Sequence, residues 1–411
     1  MNKRLRLVLA FIVLAIVMSA CASPTGTGAT QPSSSDQVAT MFASTLQAVT
    51  PEVADTPTNM PETLASLLPH SLYYLSRDSQ SLTQVFRIER DGKTVTQLTF
   101  EPVNVTDYDV SLVDGSIAYV ASNQLLLANA DGSNRRVLVD GGIGPDLRGF
   151  YSPAFSPDGQ TLAYSQDGIN LYTVSTGVSN LVIEDQPLGG PLPLETYSPE
   201  KYSPDGTKLL IHLLYSDHSS IAIYYPASNS LVRLICAEAA LTCDASWFYS
   251  DIEWSADSSS FYAAVSTPTS TYADGNLWRV DAATGAVTTL IPASTSDGTV
   301  NFSDEPYLAP NGQFYFFFGT YNVDSGFFEP PVLELVCSAP DGVTDHTVLR
   351  DENFRMMNEA LWAPDASFVI VATAPARNWD LDGGVLELYY TDGQRGMVWL
   401  AASGWQMKWG P

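Results

Sequence analysis

The sequence predicts an all-β fold: a seven-bladed β-propeller with four-stranded antiparallel blades. Three observations carry this prediction. From residue 70 onward, short apolar strands alternate with Gly/Asp turns, and helical periodicity is nearly absent. One phrase recurs along this region, which indicates a repeat architecture. The two ends of the region each supply part of one repeat, which predicts a closed ring.

The recurring phrase is an aromatic or large apolar residue, a Pro-Asp-Gly-like turn and an apolar strand. Its clearest copy is Tyr151–Gly159, followed by Leu162–Tyr164. Further copies begin at Tyr202, Trp254, Leu308 and Trp362, and a degenerate copy covers Tyr108–Tyr119. Proline presets φ and glycine tolerates positive φ, so the phrase predicts a tight turn between two strands. Four strands per period of roughly 45–55 residues are typical of a propeller blade.

The chain ends decide the number of blades. The first repeat supplies three predicted strands and no first strand: Ser71–Leu75, Gln84–Glu89 and Thr94–Thr99. The C-terminal segment Trp405–Trp409 matches the first strand that ends at Trp362 in the preceding repeat. We therefore expect the C-terminal strand to complete the N-terminal blade and close a ring of seven, which leaves few free edges.

The phrase Phe155–Tyr164 (FSPDGQTLAY) resembles the TolB-like, WD-repeat-like propeller repeat, and the resemblance covers essentially residues 70–411. The family includes the periplasmic TolB protein and the propeller halves of prolyl oligopeptidase and dipeptidyl peptidase relatives. The resemblance implies the fold and says little about activity, because this fold carries many functions. A Gly-x-Ser-x-Gly motif is absent from the sequence, so the peptidase interpretation lacks its catalytic half.

The N-terminus has the pattern of an export signal. Three basic residues precede an apolar run, Leu7–Met18, and small residues follow it. This predicts a signal peptide over residues 1–20. Because Met18–Cys21 resembles a bacterial lipobox, we predict lipidation of Cys21, with a plain signal peptide as the alternative. The protein is then exported and anchored by lipid in the cell membrane or outer envelope, facing away from the cytoplasm.

Composition separates a tether from the propeller. Residues 21–66 are rich in Ser, Thr, Pro, Ala and Gly, which predicts a flexible tether, and residues 67–411 hold the propeller. Within the tether, apolar residues at helical spacing leave a short helix and a docking peptide both open: Val38, Met41, Phe42, Leu46 and Val49.

The chain is strongly acidic, with 19 basic and 45 acidic residues and a net charge of −26. Residues 1–20 hold three basic and no acidic residues, so their removal leaves a net charge of −29. This charge argues against nucleic-acid binding and against lying flat on anionic lipid. We expect a monomer that is either simply well solvated or in contact with basic partners.

Cysteines and histidines predict one structural bond and no metal site. Cys236 and Cys243 bracket a short loop in an exported chain, which predicts a disulfide. Cys337 lies in an apolar strand, where a buried, inert thiol is expected. The four histidines have no zinc-ligand spacing.

Long loops in the last three repeats are the predicted binding patch. They cover Ser266–Gly275, Gly319–Pro331 and Thr373–Gly384, each between the second and third strands of its repeat. Their aromatic and acidic residues are Tyr272, Asp274, Tyr321, Asp324, Phe327, Phe328, Trp379, Asp380 and Asp382. Aromatic side chains on neighbouring loops of a rigid scaffold indicate binding, and the alternative is that they fold back onto the blades.

One of these loops resembles the start of a calcium-binding loop. Oxygen-bearing side chains alternate at Asn378, Asp380 and Asp382 before Gly383. However, Tyr389 stands where a bidentate glutamate is expected. A calcium site and an ordinary Asp-Gly turn therefore both remain open, and the sequence identifies no other cofactor.

Three functions are compatible with these patterns. The first is a non-catalytic binding module for a protein, peptide or glycan. The second is a propeller-borne enzyme, such as a polysaccharide lyase or glycosidase, which requires convergent carboxylates or a basic–aromatic pair in the channel. The third is an envelope assembly or structural factor, as in TolB. No catalytic residue follows from the sequence.

Overall fold

The computed structural model describes residues 66–142, 152–186, 195–214, 219–236, 248–266, 275–293, 299–322, 332–355, 357–374 and 383–411. Within these ranges the regular structure is strands joined by turns, without a helix. The strands form six hydrogen-bonded sheets, four of which have four strands. The predicted all-β class is confirmed.

In the first half of the chain, neighbouring strands of a sheet follow one another in sequence, antiparallel throughout. The strands are β1 (Leu72–Arg77), β2 (Thr83–Ile88), β3 (Val95–Gln97); β4 (Asp107–Val110), β5 (Ile117–Ala121), β6 (Gln124–Ala128), β7 (Arg136–Asp140); β8 (Ala154–Phe155), β9 (Thr161–Ser165), β10 (Gly168–Thr173), β11 (Val178–Glu184); and β12 (Thr196–Tyr202), β13 (Leu209–Leu214), β14 (Ser219–Tyr225), β15 (Ser230–Arg233).

The second half repeats this order with one addition, β16, which joins the next sheet from outside. The strands are β16 (Ile235–Cys236), β17 (Phe248–Trp254), β18 (Ser260–Ser266), β19 (Asn276–Asp281), β20 (Ala286–Ile291); β21 (Thr299–Leu308), β22 (Phe314–Asn322), β23 (Leu333–Ser338), β24 (Thr347–Phe354); and β25 (Met357–Trp362), β26 (Phe368–Thr373), β27 (Gly384–Tyr390), β28 (Val398–Trp409).

The last strand, β28, is long enough to serve two four-stranded units. Its first part pairs with β27, from Val398 opposite Leu388 onward. Its second part pairs with β1, where Trp405 lies opposite Leu75 and Trp409 opposite Leu72. The seven-stranded sheet is thus β25–β28 joined to β1–β3 through one shared strand.

The recurring phrase forms the same turn in three successive units. In the first of these, the Ser156 hydroxyl donates to Asp158 Oδ1 at 2.6 Å, and the Gln160 N–H donates to the same oxygen at 3.0 Å. Gly159 has φ 67°, a conformation that costs glycine little. Ser203 with Asp205 and Ser255 with Asp257 repeat the hydroxyl–carboxylate bond. The phrase recurs because each copy connects the first two strands of a unit.

Apolar side chains fill the spaces between consecutive sheets. Between the β12–β15 and β17–β20 units, Leu210 and Ile223 of one sheet pack with Trp254 and Phe261 of the other. The middle strands are covered on both faces, so β5 is buried along its whole length. Each large apolar side chain buried in this way contributes about 1.5–3 kcal/mol. The core is therefore a series of layers between sheets.

A close backbone approach places β16 against the outer strand of its neighbour. Ile235 and Cys236 pair in parallel with Ala286 and Val287 of β20. A Cβ atom on Gly285 would lie 2.1 Å from the Arg233 carbonyl oxygen, and Gly285 also has φ +72°. Only glycine fits this position without displacing the chain before β16.

Candidate functional site

Most of the predicted loop residues lie outside the described part of the chain. These are Tyr272, Asp274, Asp324, Phe327, Phe328, Asn378, Trp379, Asp380 and Asp382. Tyr321 is in β22, where only its backbone is described, and the same holds for Cys236 in β16. Cys21 and Cys243 are also outside the described ranges. The residues that flank the three long loops are described, and they locate where these loops begin and end.

Asn301, in β21, is bonded to the ends of two of the three loops. Gly275, at the end of the first loop, donates its N–H to the Asn301 carbonyl oxygen at 3.2 Å. Thr320, at the start of the second, donates its hydroxyl to Asn301 Oδ1 at 3.2 Å. The Asn301 amide is itself fixed by donating to the Pro292 carbonyl at 2.9 Å. The end of the first loop and the start of the second therefore lie beside the same residue of β21.

The third loop ends on β25, next to β21. The Asn358 side-chain amide donates to the carbonyl of Gly383 at 2.6 Å. Ala360, two residues further along β25, donates its N–H to Glu305 Oε1 of β21 at 2.6 Å. The described residues thus bring the ends of all three loops to two adjacent strands.

Glu305 of β21 accepts two hydrogen bonds from β25. Its carboxylate accepts the Ala360 N–H, and its carbonyl accepts the indole N–H of Trp362 at 2.9 Å. Glu305 is 6% exposed and has φ 50°, a conformation that is uncommon outside glycine. The hydrogen bond from the Ala360 N–H offsets part of the cost of burying the carboxylate.

Glu359 makes the same connection between β25 and β28. Its two carboxylate oxygens accept the N–H groups of Gln406 and Met407, both at 2.6 Å. The indole N–H of Trp409 donates back to the carbonyl of Trp362 at 2.7 Å. The junction at the C-terminal strand therefore resembles the one inside the chain, because in both a carboxylate accepts a backbone N–H and a tryptophan indole donates to a backbone carbonyl of the preceding unit.

Lys408 is the centre of a charged cluster that joins β28, β4 and β8. Its ammonium donates to Asp109 Oδ1 at 2.8 Å, and the Phe155 N–H donates to Asp109 Oδ2 at 2.6 Å. The ammonium also lies 5.6 Å from the centroid of the Tyr108 ring, whose hydroxyl donates to the Gln406 carbonyl at 2.6 Å. A basic–aromatic pair thus lies beside a carboxylate on the first strands of adjacent units.

Charge and burial hold both members of that pair in their protonated forms. Burial acts to lower the pKa of Lys408, but the carboxylates of Asp109 and Asp107 outweigh it, so the pKa is raised. Burial, followed by the negative charge of Glu359, raises the pKa of Tyr108 well above its usual value. Near neutral pH, Lys408 is therefore a cation and Tyr108 a neutral phenol.

Two further side-chain contacts lie on or beside the first strands. Lys201 of β12 pairs with Glu253 of β17, and the Trp254 indole N–H donates to the Lys201 carbonyl at 3.4 Å. These contacts join two neighbouring units. Within the β12–β15 unit, His212 Nε2 lies 3.0 Å from Glu200 Oε2, and His212 Nδ1 is buried without a hydrogen-bond partner.

Within the described ranges, no three His, Cys, Asp or Glu side chains are grouped so that they could hold a metal ion. The candidate calcium ligands Asn378, Asp380 and Asp382 are not among these residues. Cys337 is buried and unpaired, as expected, and burial raises the pKa of its thiol. A search of the same described residues found no apolar helix of membrane-spanning length.

Comparisons with solved structures identify the fold. A puromycin-hydrolyzing peptidase from Mycobacterium tuberculosis has a TM-score of 0.53 at 14% identity, covering 82% of this chain and 52% of the peptidase. An oligogalacturonate lyase in complex with manganese has a TM-score of 0.51 at 12% identity, covering 80% and 84%. TolB from Acinetobacter baumannii has a TM-score of 0.47 at 16% identity, covering 83% and 67%. The likeness to the peptidase and the lyase shows a shared fold, and the series of antiparallel sheets is consistent with a β-propeller.

At these identities the likeness concerns the fold alone. The chain spans about half the length of the peptidase. No protein-family model matches the sequence, and no curated protein matches it. The function of this propeller must therefore be argued from its own residues.

The carboxylates that join the units were missed at the level of sequence, although a signal was present. An acidic residue stands three positions before the end of the first strand in four units of the propeller: Asp107, Asp251, Glu305 and Glu359. The repeat alignment rested on the aromatic residue and the turn, so this position was not compared. The carboxylates of Glu305 and Glu359 accept backbone N–H groups of the next unit.

Proposed function

We propose that this chain is a membrane-anchored, extracytoplasmic propeller that acts as a non-catalytic binding module for a protein, peptide or glycan. The observation that carries the proposal is the convergence of three loop ends on β21 and β25, through Asn301 and Asn358. These loops contain the aromatic and acidic residues expected of a binding patch. The strands that flank these loops supply a rigid scaffold from which loop residues can bind a ligand.

The proposed propeller has seven blades and is closed by β28. Support comes from the shared strand, because β28 completes a four-stranded unit with β1–β3 while remaining the last strand of β25–β28. Further support comes from the Glu359 carboxylate, which accepts backbone N–H groups of β28 as the Glu305 carboxylate accepts the Ala360 N–H of β25. Lys408 then ties the completed unit to Asp109 of the following one.

The anchor and the domain boundaries belong to the same proposal. The lipobox at Met18–Cys21 supports a signal peptide over residues 1–20 and a lipid on Cys21. Residues 21–66 form the tether, and residues 67–411 the propeller. A disulfide between Cys236 and Cys243 would fix the loop that follows β16, which is consistent with an oxidising compartment.

The charged cluster favours binding over acid–base catalysis. A lyase or glycosidase needs a group that gives up or takes a proton near the working pH. Here Lys408 is held as a cation by Asp109, and Tyr108 is held as a neutral phenol donating to a carbonyl. Asp109 also accepts the Phe155 N–H. All three groups are thus engaged in connecting units.

An enzyme is the second candidate, because a basic–aromatic pair does lie on the first strands. The test is incubation of the full chain with polygalacturonate, alone and with manganese, followed by the absorbance of unsaturated products. We expect no product. Product formation that disappears in Lys408→Met, with folding retained by circular dichroism, would replace the binding proposal with a lyase.

The binding proposal is tested on the loops. We expect Trp379→Ala to cost about 2 kcal/mol of binding free energy, roughly a 30-fold weaker Kd for the best-binding member of a peptide and glycan array. The melting temperature should change little, because the loop is not expected to belong to the core. Phe328→Ala is a second loop variant with the same expectation.

Trp399→Ala is the matched control, since Trp399 is 57% exposed on β28 and lies outside the loops. It should leave ligand capture unchanged. If Trp379→Ala instead unfolds the protein while the remaining folded fraction binds normally, the loops are small cores and the proposed site is wrong.

A further inference from the structure

The outermost strands of the sheets differ in how their free edges are protected. An exposed edge presents unpaired N–H and C=O groups, and proteins usually blunt it with charge, proline or a covering segment. β7 carries Arg136 and Asp140, β24 carries a central run of charged residues over 350–352, and β15 ends on Arg233. β20 is covered by β16. These four edges are protected.

β11 lacks these protections. It has seven residues, Val178–Glu184, none of which is Lys, Arg or Pro, and its only charge is at its last residue. Four consecutive residues, from Val178 to Leu181, are exposed, whereas a strand packed on one face would alternate. Val178 and Leu181 are 51% and 48% exposed. Within the described residues, β11 pairs with β10 alone.

The same molecule contains an example of an outer edge with an added strand. β16 pairs in parallel with β20 and makes a fifth strand of that sheet. β20 has no charged residue within Ala286–Ile291, and β11 has none before its last residue, Glu184. An uncharged outer strand of this fold thus accepts an extended segment.

We propose that the free edge of β11 binds an extended segment of a partner protein by strand addition, separately from the loop site. Backbone hydrogen bonds would supply affinity, and the exposed Val178 and Leu181 would favour β-branched or apolar side chains. Three acids lie at one end of the strand, namely Asp167, Glu184 and Asp185, with the Asp185 N–H bonded to the Asp167 carbonyl at 3.0 Å. The segment therefore carries a basic residue at that end.

The net charge of the chain favours a basic partner segment at β11 over a second copy of the chain. Each chain has a net charge of −26, so two copies repel each other at moderate ionic strength. A basic segment is instead attracted to the acids beside β11. The outer part of β28 is a less suitable edge, because the Ser76 hydroxyl already donates to the Ser403 carbonyl at 2.9 Å.

The probe is a fluorescent peptide that alternates valine with threonine and has a lysine at each end. The full chain in detergent is titrated against it, and amide hydrogen exchange is followed with and without the peptide. We expect saturable binding and slower exchange confined to a fragment containing β11. The same peptide with alternate backbone amides N-methylated should lose binding by about tenfold or more, since strand addition depends on backbone donors.

The variant Leu181→Lys places a basic side chain on the edge and should weaken peptide binding by about tenfold. Val137→Lys is the matched control, because Val137 is 42% exposed on the outer strand β7. It should bind the peptide like the wild type. Both variants are compared by melting temperature, so that a loss of folding is recognised.

Three results would overturn the proposal. The first is unchanged exchange in β11 at saturating peptide. The second is protection that appears at residues 397–403 or at the loop ends instead. The third is protection of β11 that grows with protein concentration alone, together with a dimer in sedimentation, which would assign the edge to a second copy. None of these results bears on the Trp379 test, so the two sites fail or succeed separately.

Discussion

Single carboxylates connect the units of this propeller, and Glu359 is the clearest case. Its two carboxylate oxygens accept the backbone N–H groups of Gln406 and Met407 in β28, both at 2.6 Å. An unsatisfied buried donor costs about 1–3 kcal/mol. In the sequence Glu359 resembles an acidic surface residue, but in the structure it connects two units and stabilises the fold.

Glu359→Gln tests this role, because an amide can replace only one of the two acceptors. We expect the free energy of unfolding to fall by about 1–3 kcal/mol, measured as a lower urea midpoint. Glu334→Gln, on the exposed side of β23, is the control and should stay within about 0.5 kcal/mol of the wild type. Equal stability of both variants would contradict the connecting role.

The turn carboxylates make a prediction for acid stability. The Ser255 hydroxyl, followed by the Ser259 N–H and hydroxyl, lowers the pKa of Asp257 to about 2. Because this folded pKa lies below the unfolded value of about 3.9, the contribution to stability is present above about pH 4 and is lost as pH falls towards 2. Ser255→Ala should raise the pKa of Asp257, as measured by NMR titration of its carboxyl carbon. An unchanged pKa would show that the hydroxyl is not the main cause.

At the scale of elements, the single strand β28 pairs with strands of two different units. Its first part is an outer strand beside β27, and its second part is a first strand beside β1. Trp409 packs at the second part with Phe368 and His70, at ring distances of 6.2 and 6.4 Å. The element is therefore more important for stability than its place at the end of the chain indicates.

Deletion of residues 403–411 removes this second part and exposes the apolar edge of β1. We expect a broad, less cooperative melting transition, read by circular dichroism and calorimetry. Trp409 is partly buried against the core, so the single change Trp409→Ala should cost about 2–3 kcal/mol, less than a fully buried tryptophan would. Trp399→Ala, on the exposed part of the same strand, is the control. A truncated monomer with a normal melting curve would refute the closed ring.

At the scale of the whole molecule, the proposed anchor and the net charge bear on where the propeller acts. Removal of the proposed signal peptide leaves a net charge of −29, and an anionic membrane surface repels a chain of that charge. We therefore propose that a lipid on Cys21, rather than surface charge, holds the protein at the membrane.

Cys21→Ser tests the anchor. We expect an unprocessed or soluble species in cell fractionation, together with the loss of the lipid mass from the mature N-terminus in mass spectrometry. The Cys337→Ser variant is the control, because Cys337 is buried in β23 and should not affect fractionation. Membrane recovery of Cys21→Ser at the normal mature mass would falsify the lipobox prediction.

The sequence by itself determined the strand repeat and the turns, because hydrophobic alternation and Pro-Asp-Gly chemistry act over a few neighbouring residues. It also predicted that Trp405–Trp409 would serve as a first strand, and this segment does pair with β1. It did not determine the roles of Glu305, Glu359 and Lys408, because each of them binds a unit that is adjacent in space and distant in the chain. Whether an acid is solvated or joins two blades is decided by which backbone N–H groups the packed sheets place within reach, and only the tertiary structure supplies that.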